Sequence, residues 1–207
     1  GIVGLQDVSV GTDLNVKSAN GGDVVGLKTV QVGRKLSIKT SSGDDRIGLA
    51  DTHVHGAATL DGGSAGNAVR QDSVIVTGAD IGGALKVKTA GGDDLIALGD
   101  APEYADQLAG DFDEFFEHVA GDEIAAGPVV AALLDVNSGP GNDLGELHNI
   151  EAATLKAAFG SGGDWLNFDL IEGLTNLRLD GGSGLDQVEV GDQVEIPSQF
   201  VIRSWEE

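Results

Sequence analysis

The strongest constraint on the fold of this chain is a short motif that recurs along it: glycine, any residue, aspartate, any residue and an apolar residue. Successive motif aspartates are 22, 27, 22, 49, 21 and 22 residues apart. A repeat of about 22 residues with occasional insertions is typical of a solenoid, in which each repeat forms one turn of a stack. Asp72 has Arg70 in place of the glycine, and after Asp143 the first apolar slot holds Gly145. Seven aspartates mark the repeats: Asp23, Asp45, Asp72, Asp94, Asp143, Asp164 and Asp186.

Each repeat contains short alternations of apolar and polar residues on both sides of the glycine-rich turn. The sequence Leu-Ser-Ile at 36–38 precedes the turn at Asp45, and Ile-Gly-Leu at 47–49 follows it. A third alternating pair, such as Val30 and Val32, occurs in several repeats. Alternation with period two places one side chain inward and the next outward in a strand. Each repeat is therefore predicted to form three short strands.

Strands of three to five residues cannot bury a core alone, but stacked copies can, because each apolar position then lies above its counterpart in the next turn. We therefore predict an all-β fold, a right-handed parallel β-helix (solenoid) of about eight rungs with one helical insertion. Residues 1–207 are expected to form a single β-helix domain. With adjacent strands about 4.8 Å apart, the rod would be on the order of 40 Å long.

Residues 99–128 interrupt the period and carry a helical pattern instead. Asp100 and Glu103 have the spacing of a helix N-cap and its capping-box partner, and Gly121 is a stop signal. The segment predicts an amphipathic helix over about 101–119, which either covers a flank of the rod or forms the wall of a binding site. Its apolar stripe consists of Tyr104, Leu108, Phe112, Phe115, Phe116 and Val119.

Composition narrows the classes of partner. The formal net charge is −22 and the pI is about 4.2, so phosphate backbones are repelled and nucleic acid binding is not expected. No run of 18 apolar residues is present, so no membrane span is expected. The chain has no cysteine, which excludes disulfides and thiol chemistry.

The two ends of the chain carry no polar capping helix in the sequence pattern. The chain also contains no methionine, and it begins at Gly1. Open solenoid ends expose strand edges that pair with other chains. We therefore expect a fragment of a longer repeat protein, or end-to-end self-association of the rods.

The repeated aspartates are the main candidate for chemistry. In a regular stack their carboxylates lie one above another and repel, so something must offset the repulsion. One solution is hydrogen bonding to N–H groups in the turns, and the other is a cation such as Ca²⁺, which takes six to eight oxygen ligands. The candidate calcium ligands are Asp23, Asp45, Asp94, Asp143, Asp164 and Asp186.

One stretch resembles a known family of repeats. Residues 181–189 read Gly-Gly-Ser-Gly-Leu-Asp-Gln-Val-Glu, which is similar to the nonapeptide of RTX-type calcium-binding β-rolls. Those proteins repeat the motif every nine residues, whereas this chain has one motif per turn of about 22. The resemblance implies calcium binding and secretion.

Two functional classes remain open from the sequence. The first is a non-catalytic extracellular or cell-surface module with a structural or adhesive role, stabilised by calcium in one version of the hypothesis. It would be secreted or held at the cell surface and would bind a polysaccharide or a protein surface. The alternative is a carbohydrate-active β-helix enzyme, a polysaccharide lyase or glycoside hydrolase.

The sequence favours the non-catalytic module. It contains no nucleophile elbow, P-loop or HExxH motif. Its 12 Lys and Arg residues are dispersed along the sequence, and an acidic polymer would be repelled. The acidic residues of the 99–128 insertion, Asp111, Asp113 and Glu114, are the enzyme's candidate acids. His53 and His55 lie two residues apart but lack a further zinc ligand nearby in sequence.

Overall fold

A computed structural model describes residues 1–63, 71–100 and 127–205. These residues contain strands and turns but no helix, so none of them forms a helix that could cross a lipid bilayer. The strands, numbered in chain order, are β1 (Ile2–Gln6), β2 (Ser9–Val10), β3 (Leu14–Lys17), β4 (Val24–Lys28), β5 (Gln31–Val32), β6 (Leu36–Lys39), β7 (Arg46–Ala50), β8 (His53–Val54), β9 (Ala58–Asp61), β10 (Ser73–Thr77), β11 (Ala79–Lys88), β12 (Leu95–Gly99), β13 (Val129–Gly139), β14 (Leu144–Phe159), β15 (Ser161–Gly162), β16 (Trp165–Glu172), β17 (Asn176–Asp180), β18 (Ser183–Gly184), β19 (Gln187–Val190) and β20 (Gln199–Arg203).

All strand pairs between turns are parallel, and they form three faces of a β-solenoid of about eight turns. The first face begins with β1, β4 and β7, the second with β2, β5 and β8, and the third with β3, β6 and β9. The long strands β11, β13 and β14 run around a corner and contribute to more than one face. The predicted all-β solenoid is confirmed, whereas its right-handed winding stays a prediction.

The strand register reproduces the period read from the sequence. Val25 lies beside Ile47, which is 22 residues later, and Val74 lies beside Ile96. The two longer steps contain the segments 64–70 and 101–126, which lie outside the described residues. The predicted helix over 101–119 falls in the second of these segments.

The core is a set of apolar columns along the axis of the solenoid. On the third face, Leu36 pairs with Ala58, which pairs with Leu85, and all three are at most 1% exposed. Phe168 is the largest of the fully buried side chains. Burying one such side chain contributes about 1.5–3 kcal/mol, so repetition of the columns over eight turns supplies the stability that no single turn could.

A glycine precedes six of the seven aspartates by two residues, the exception being Arg70 before Asp72. Where a described turn lies before it, as at Gly162 and Gly184, this glycine is required by the stacking itself. At Gly162 the backbone has φ +145°, and a Cβ would lie 1.7 Å from the carbonyl oxygen of Gly141 in the preceding turn. At Gly184 the corresponding distance to the oxygen of Gly162 is 1.4 Å. No side chain fits in such a space, which explains why the glycine recurs with the aspartate.

The corner between the first and second faces is made by residues in the left-handed region. Asp51 and Asn149, with φ of 47° and 54°, are residue types that tolerate this conformation. Leu170 occupies the same kind of corner with φ 50°, where an apolar side chain gains no local hydrogen bond to offset the steric cost.

We expect Leu170→Asn to raise the free energy of unfolding by about 0.5–1 kcal/mol, because asparagine tolerates this backbone conformation better than leucine does. Urea denaturation with a constant slope would measure the change. Asn149→Leu is the reverse change and is expected to destabilise by more, because it also removes the hydrogen bond that Nδ2 of Asn149 donates to Oδ2 of Asp100 at 2.7 Å. A destabilised Leu170→Asn variant would mean that the packing of the leucine side chain outweighs its strain.

Large apolar side chains are exposed at the two ends of the solenoid. Ile2 in the first turn is 72% exposed, and Phe200 in the last turn is 54% exposed. Val190 and Ile202, also in the last turn, point along columns that are buried elsewhere in the rod. End-to-end self-association would bury these exposed apolar side chains, and it stays a prediction.

Candidate functional site

The seven motif aspartates form one continuous ladder of hydrogen bonds along the inside of the solenoid. In each turn the backbone N–H of the aspartate donates to the Oδ1 atom of the aspartate in the following turn. The N-terminal amine of Gly1 occupies the equivalent position before Asp23 and donates to its Oδ1. The six backbone bonds are Asp23 to Asp45 (2.8 Å), Asp45 to Asp72 (2.9 Å), Asp72 to Asp94 (2.8 Å), Asp94 to Asp143 (2.9 Å), Asp143 to Asp164 (2.9 Å) and Asp164 to Asp186 (3.1 Å).

These carboxylates are buried, and each uses only one of its oxygens in the ladder. The exposed fraction is 5% at Asp23 and 1–2% at the other six. The Oδ2 atoms of all seven are buried and have no hydrogen-bond partner among the described residues. The Thr89 hydroxyl lies close to Asp94, but it donates to the carbonyl oxygen of Ser138 at 2.9 Å. The ladder therefore holds a line of buried carboxylate oxygens that take no part in its backbone hydrogen bonds.

Burial dominates the acid–base behaviour of the ladder. Desolvation raises the pKa of Asp94 to about 7 and the pKa values of Asp72 and Asp164 to about 6. It also raises the pKa of Asp45 and of Asp143. The backbone N–H bonds act in the opposite direction, because they favour the charged form. Asp23 differs, since its hydrogen bond from the N-terminal amine lowers its pKa.

We expect the protein to become more stable as the pH falls from 8 to 5. A carboxyl group whose pKa is raised by folding binds more protons in the folded state, so its contribution to stability is complete below the unfolded value near 4 and is lost as the pH rises through 6 to 7. The melting temperature should be at least about 5 °C higher at pH 5 than at pH 8, since about 1 kcal/mol shifts it by roughly 2–4 °C in a chain of this size.

Thermal unfolding at constant ionic strength would measure this pH dependence. Because the pKa of Asp23 is lowered, its contribution to stability has the opposite pH dependence. That contribution is lost only as the pH falls below about 4. An equal or higher melting temperature at pH 8 would contradict the buried, partly protonated ladder.

A second, outward ladder was not predicted from the sequence. Asp93 lies beside Asp94 but is exposed, and its Oδ1 accepts the N–H of Asn142 from the following turn at 2.8 Å. The Oδ1 of Asn142 accepts the N–H of Gly163 in the same way, also at 2.8 Å. These bonds run in the opposite direction to those of the inner ladder. The adjacent Asp-Asp and Asn-Asp pairs were the sequence signal that could have indicated it.

The candidate calcium ligands Asp23, Asp45, Asp94, Asp143, Asp164 and Asp186 all belong to the inner ladder, together with Asp72. Their free oxygens form a line with one carboxylate per turn. Within residues 1–63, 71–100 and 127–205, no three acidic or histidine side chains converge as a metal-binding group. Because Ca²⁺ requires six to eight oxygens, the described side chains would have to be supplemented by backbone carbonyls, and calcium binding stays a prediction.

Three of the four histidines, His53, His55 and His148, lie among the described residues. His53 gains a partner that the sequence did not suggest, because its Nδ1 lies 2.9 Å from Oδ2 of Asp80 in the next turn. The rings of His53 and His55 are in edge-to-face contact, with centroids 4.6 Å apart. His148 is half-buried, and desolvation lowers its pKa.

The cationic side chains are not dispersed in space, although they are dispersed in sequence. Seven of the 12 Lys and Arg residues project outward from the third face of the solenoid. The expectation of scattered positive charge was therefore wrong, because residues that are 21–27 or 49 positions apart in sequence occupy the same column. We call this surface the basic face; its cations are Lys17, Lys39, Lys86, Lys88, Lys156, Arg178 and Arg203.

The fold and the inner ladder define this chain as a parallel β-solenoid held by stacked, buried aspartates. No protein family, curated protein or solved structure matches the chain significantly. The resemblance of residues 181–189 to RTX-type repeats therefore rests on the motif alone.

Proposed function

We propose that the chain is a non-catalytic extracellular or cell-surface module with a structural or adhesive role. The observation that carries this proposal is the inner ladder, in which the most regularly repeated residue of the sequence is buried and bonded to the backbone of the neighbouring turn. The repeated aspartates therefore stabilise the rod, and the outward side chains remain available to contact a partner.

Incubation with neutral and acidic polysaccharides tests the proposal. A module is expected to leave the polymers intact, with no new reducing ends and no unsaturated products after prolonged incubation. Appearance of either product would overturn the proposal in favour of a carbohydrate-active enzyme. The candidate acids of such an enzyme, Asp111, Asp113 and Glu114, lie outside the described residues, and Asp111→Asn would then be the first variant to measure.

The location of the protein is a separate part of the proposal. A secreted or surface-bound module should be found in the medium or in the surface fraction of the producing cells, where externally added protease degrades it. Protein that is protected from protease until the cells are lysed would contradict this part without affecting the role as a structural rod.

The calcium-stabilised version of the proposal predicts a higher melting temperature in excess Ca²⁺ than in excess EDTA. A ligand that binds only the folded state stabilises it by about 2.7 kcal/mol at one hundred times its dissociation constant, which corresponds to roughly 5–10 °C here. Mg²⁺ is the matched control, because it prefers a smaller octahedral site. An unchanged melting temperature would remove calcium from the proposal and leave the rod held by its backbone and side-chain bonds.

A further inference from the structure

The basic face is an exception on an otherwise acidic protein. The outward residues of its strands carry seven cations and three carboxylates, Asp61, Asp135 and Asp180, so the face has a net charge of +4 while the whole chain has −22. All seven cations are exposed. Charge of one sign concentrated on one surface attracts partners of the opposite sign even when the net charge of the protein would repel them.

The cations are arranged in two parallel columns. The register places Lys17 beside Lys39, which lies beside Asp61, which lies beside Lys88. The second column contains Lys86, Asp135, Lys156 and Arg178 in successive turns. Neighbouring members of one column are about 4.8 Å apart. The face is therefore a straight strip of charge along the rod, suited to an extended partner.

Internal ion pairs neutralise only part of this strip. Nζ of Lys39 lies 3.0 Å from Oδ2 of Asp61, and Nη2 of Arg178 lies 3.8 Å from Oδ2 of Asp180. Exposed pairs of this kind contribute about 0–1 kcal/mol each and exchange readily with other partners. The central turns of the strip add Lys86 and Lys88 from one strand, β11.

We propose that the basic face binds a linear acidic polysaccharide, of the kind in which acidic and neutral sugars alternate, along the rod axis. This proposal names the partner of the adhesive role and rests on it. Four net charges spread over about 34 Å give a low charge density, which matches a sparsely charged polymer. Nucleic acid, with one charge per roughly 1.7 Å of duplex, would meet the three interspersed carboxylates of the face.

The neutral side chains of the strip fit the same partner. Asn15, Ser37 and Thr59 project outward between the cations in successive turns, and Asn137 lies beside Lys88. Their amide and hydroxyl groups are suited to the hydroxyls of a sugar ring. Aromatic side chains, on which the bases of single-stranded nucleic acid stack, do not occur among the outward residues of these described strands.

Hyaluronate, in which acidic and neutral sugars alternate, is the probe for this inference. We expect the 207-residue protein to bind it at low salt, with weaker binding as salt is added, and to bind its neutral carboxyl-methyl ester much less. Lys86→Gln/Lys88→Gln should weaken binding about tenfold. Gln31→Glu/Gln187→Glu is the matched control, since it makes the same change in net charge at exposed positions on the other two faces; it should change affinity less than twofold.

Four results would overturn the inference. They are absence of hyaluronate binding at low salt, equal binding of the neutral ester, equal weakening by both pairs of substitutions, and tighter binding of poly(U) than of hyaluronate. Thermal unfolding of both double variants checks that each is folded. Cleavage of hyaluronate would overturn the proposed non-catalytic role instead, so the two failures are distinguishable by analysing the polymer after binding.

Discussion

Replacement of Gly162 by alanine is expected to lower the free energy of unfolding by about 4 kcal/mol or more, or to prevent folding. The added Cβ would lie 1.7 Å from the carbonyl oxygen of Gly141, and φ at this position is +145°. The opposing atom belongs to the backbone of the preceding turn, so relief requires the turns to separate rather than a side chain to rotate.

Two other glycines serve as matched controls for this prediction. Gly11 has nothing within 4 Å of an added Cβ, so Gly11→Ala should change stability very little. Gly21 likewise has no atom within 4 Å of an added Cβ, but its φ is +115°. Gly21→Ala therefore measures the cost of backbone strain alone. In urea unfolding, Gly11→Ala should be the most stable of the three variants, Gly21→Ala intermediate and Gly162→Ala the least stable. A Gly162→Ala variant as stable as Gly21→Ala would contradict the close stacking of the turns.

Removal of one carboxylate from the middle of the inner ladder is expected to have the next largest effect. Asp94→Ala should lower the free energy of unfolding by about 3 kcal/mol, because the buried N–H of Asp72 loses its acceptor and a small cavity is left. Asp94→Asn keeps an oxygen in place for that N–H and should cost clearly less at neutral pH.

The neighbouring Asp93 provides the control for the change in charge. Asp93→Ala removes the same charge from an exposed side chain whose Oδ1 accepts two hydrogen bonds from Asn142, from its backbone N–H and its Nδ2. It should cost less than about 1 kcal/mol, because both bonds lie in the solvent-exposed ladder. Asp94→Asn should also reduce the slope of stability against pH, since the group with a pKa near 7 no longer titrates. Equal stability of Asp94→Ala and Asp93→Ala would mean that the ladder bonds do not hold the turns together.

The spacing of the motif was sufficient to predict the stacking of the turns. Asp23, Asp45 and Asp94 take the positions that their intervals require, because the register of parallel strands follows the length of each repeat. The sequence also suggested turn N–H groups as hydrogen-bond donors to the carboxylates. It could not indicate that each donor belongs to the adjacent aspartate, since that depends on the inclination of the turn and not on residue type.

Two features of the outside were harder to predict. Leu170 and Thr29 occupy left-handed corner positions although their residue types do not favour that conformation, so only the repeat register assigns them there. To predict the basic face from the sequence, the register of each column has to be carried across both insertions. Lys39 and Lys88 share one column with Asp61. Lys156 and Arg178 join the parallel column of Lys86 only after the 49-residue step is placed correctly.

The inner ladder also has a direction, because every aspartate N–H donates toward the turn that follows it in the chain. A turn such as the one at Asp143 therefore remains incomplete until the next turn supplies the carboxylate of Asp164. During synthesis the last turn formed would carry one unpaired aspartate N–H until the next 21–49 residues supply its acceptor. Folding of this chain is thus expected to proceed as an ordered zipper behind the ribosome, with each turn acting as the template for its successor.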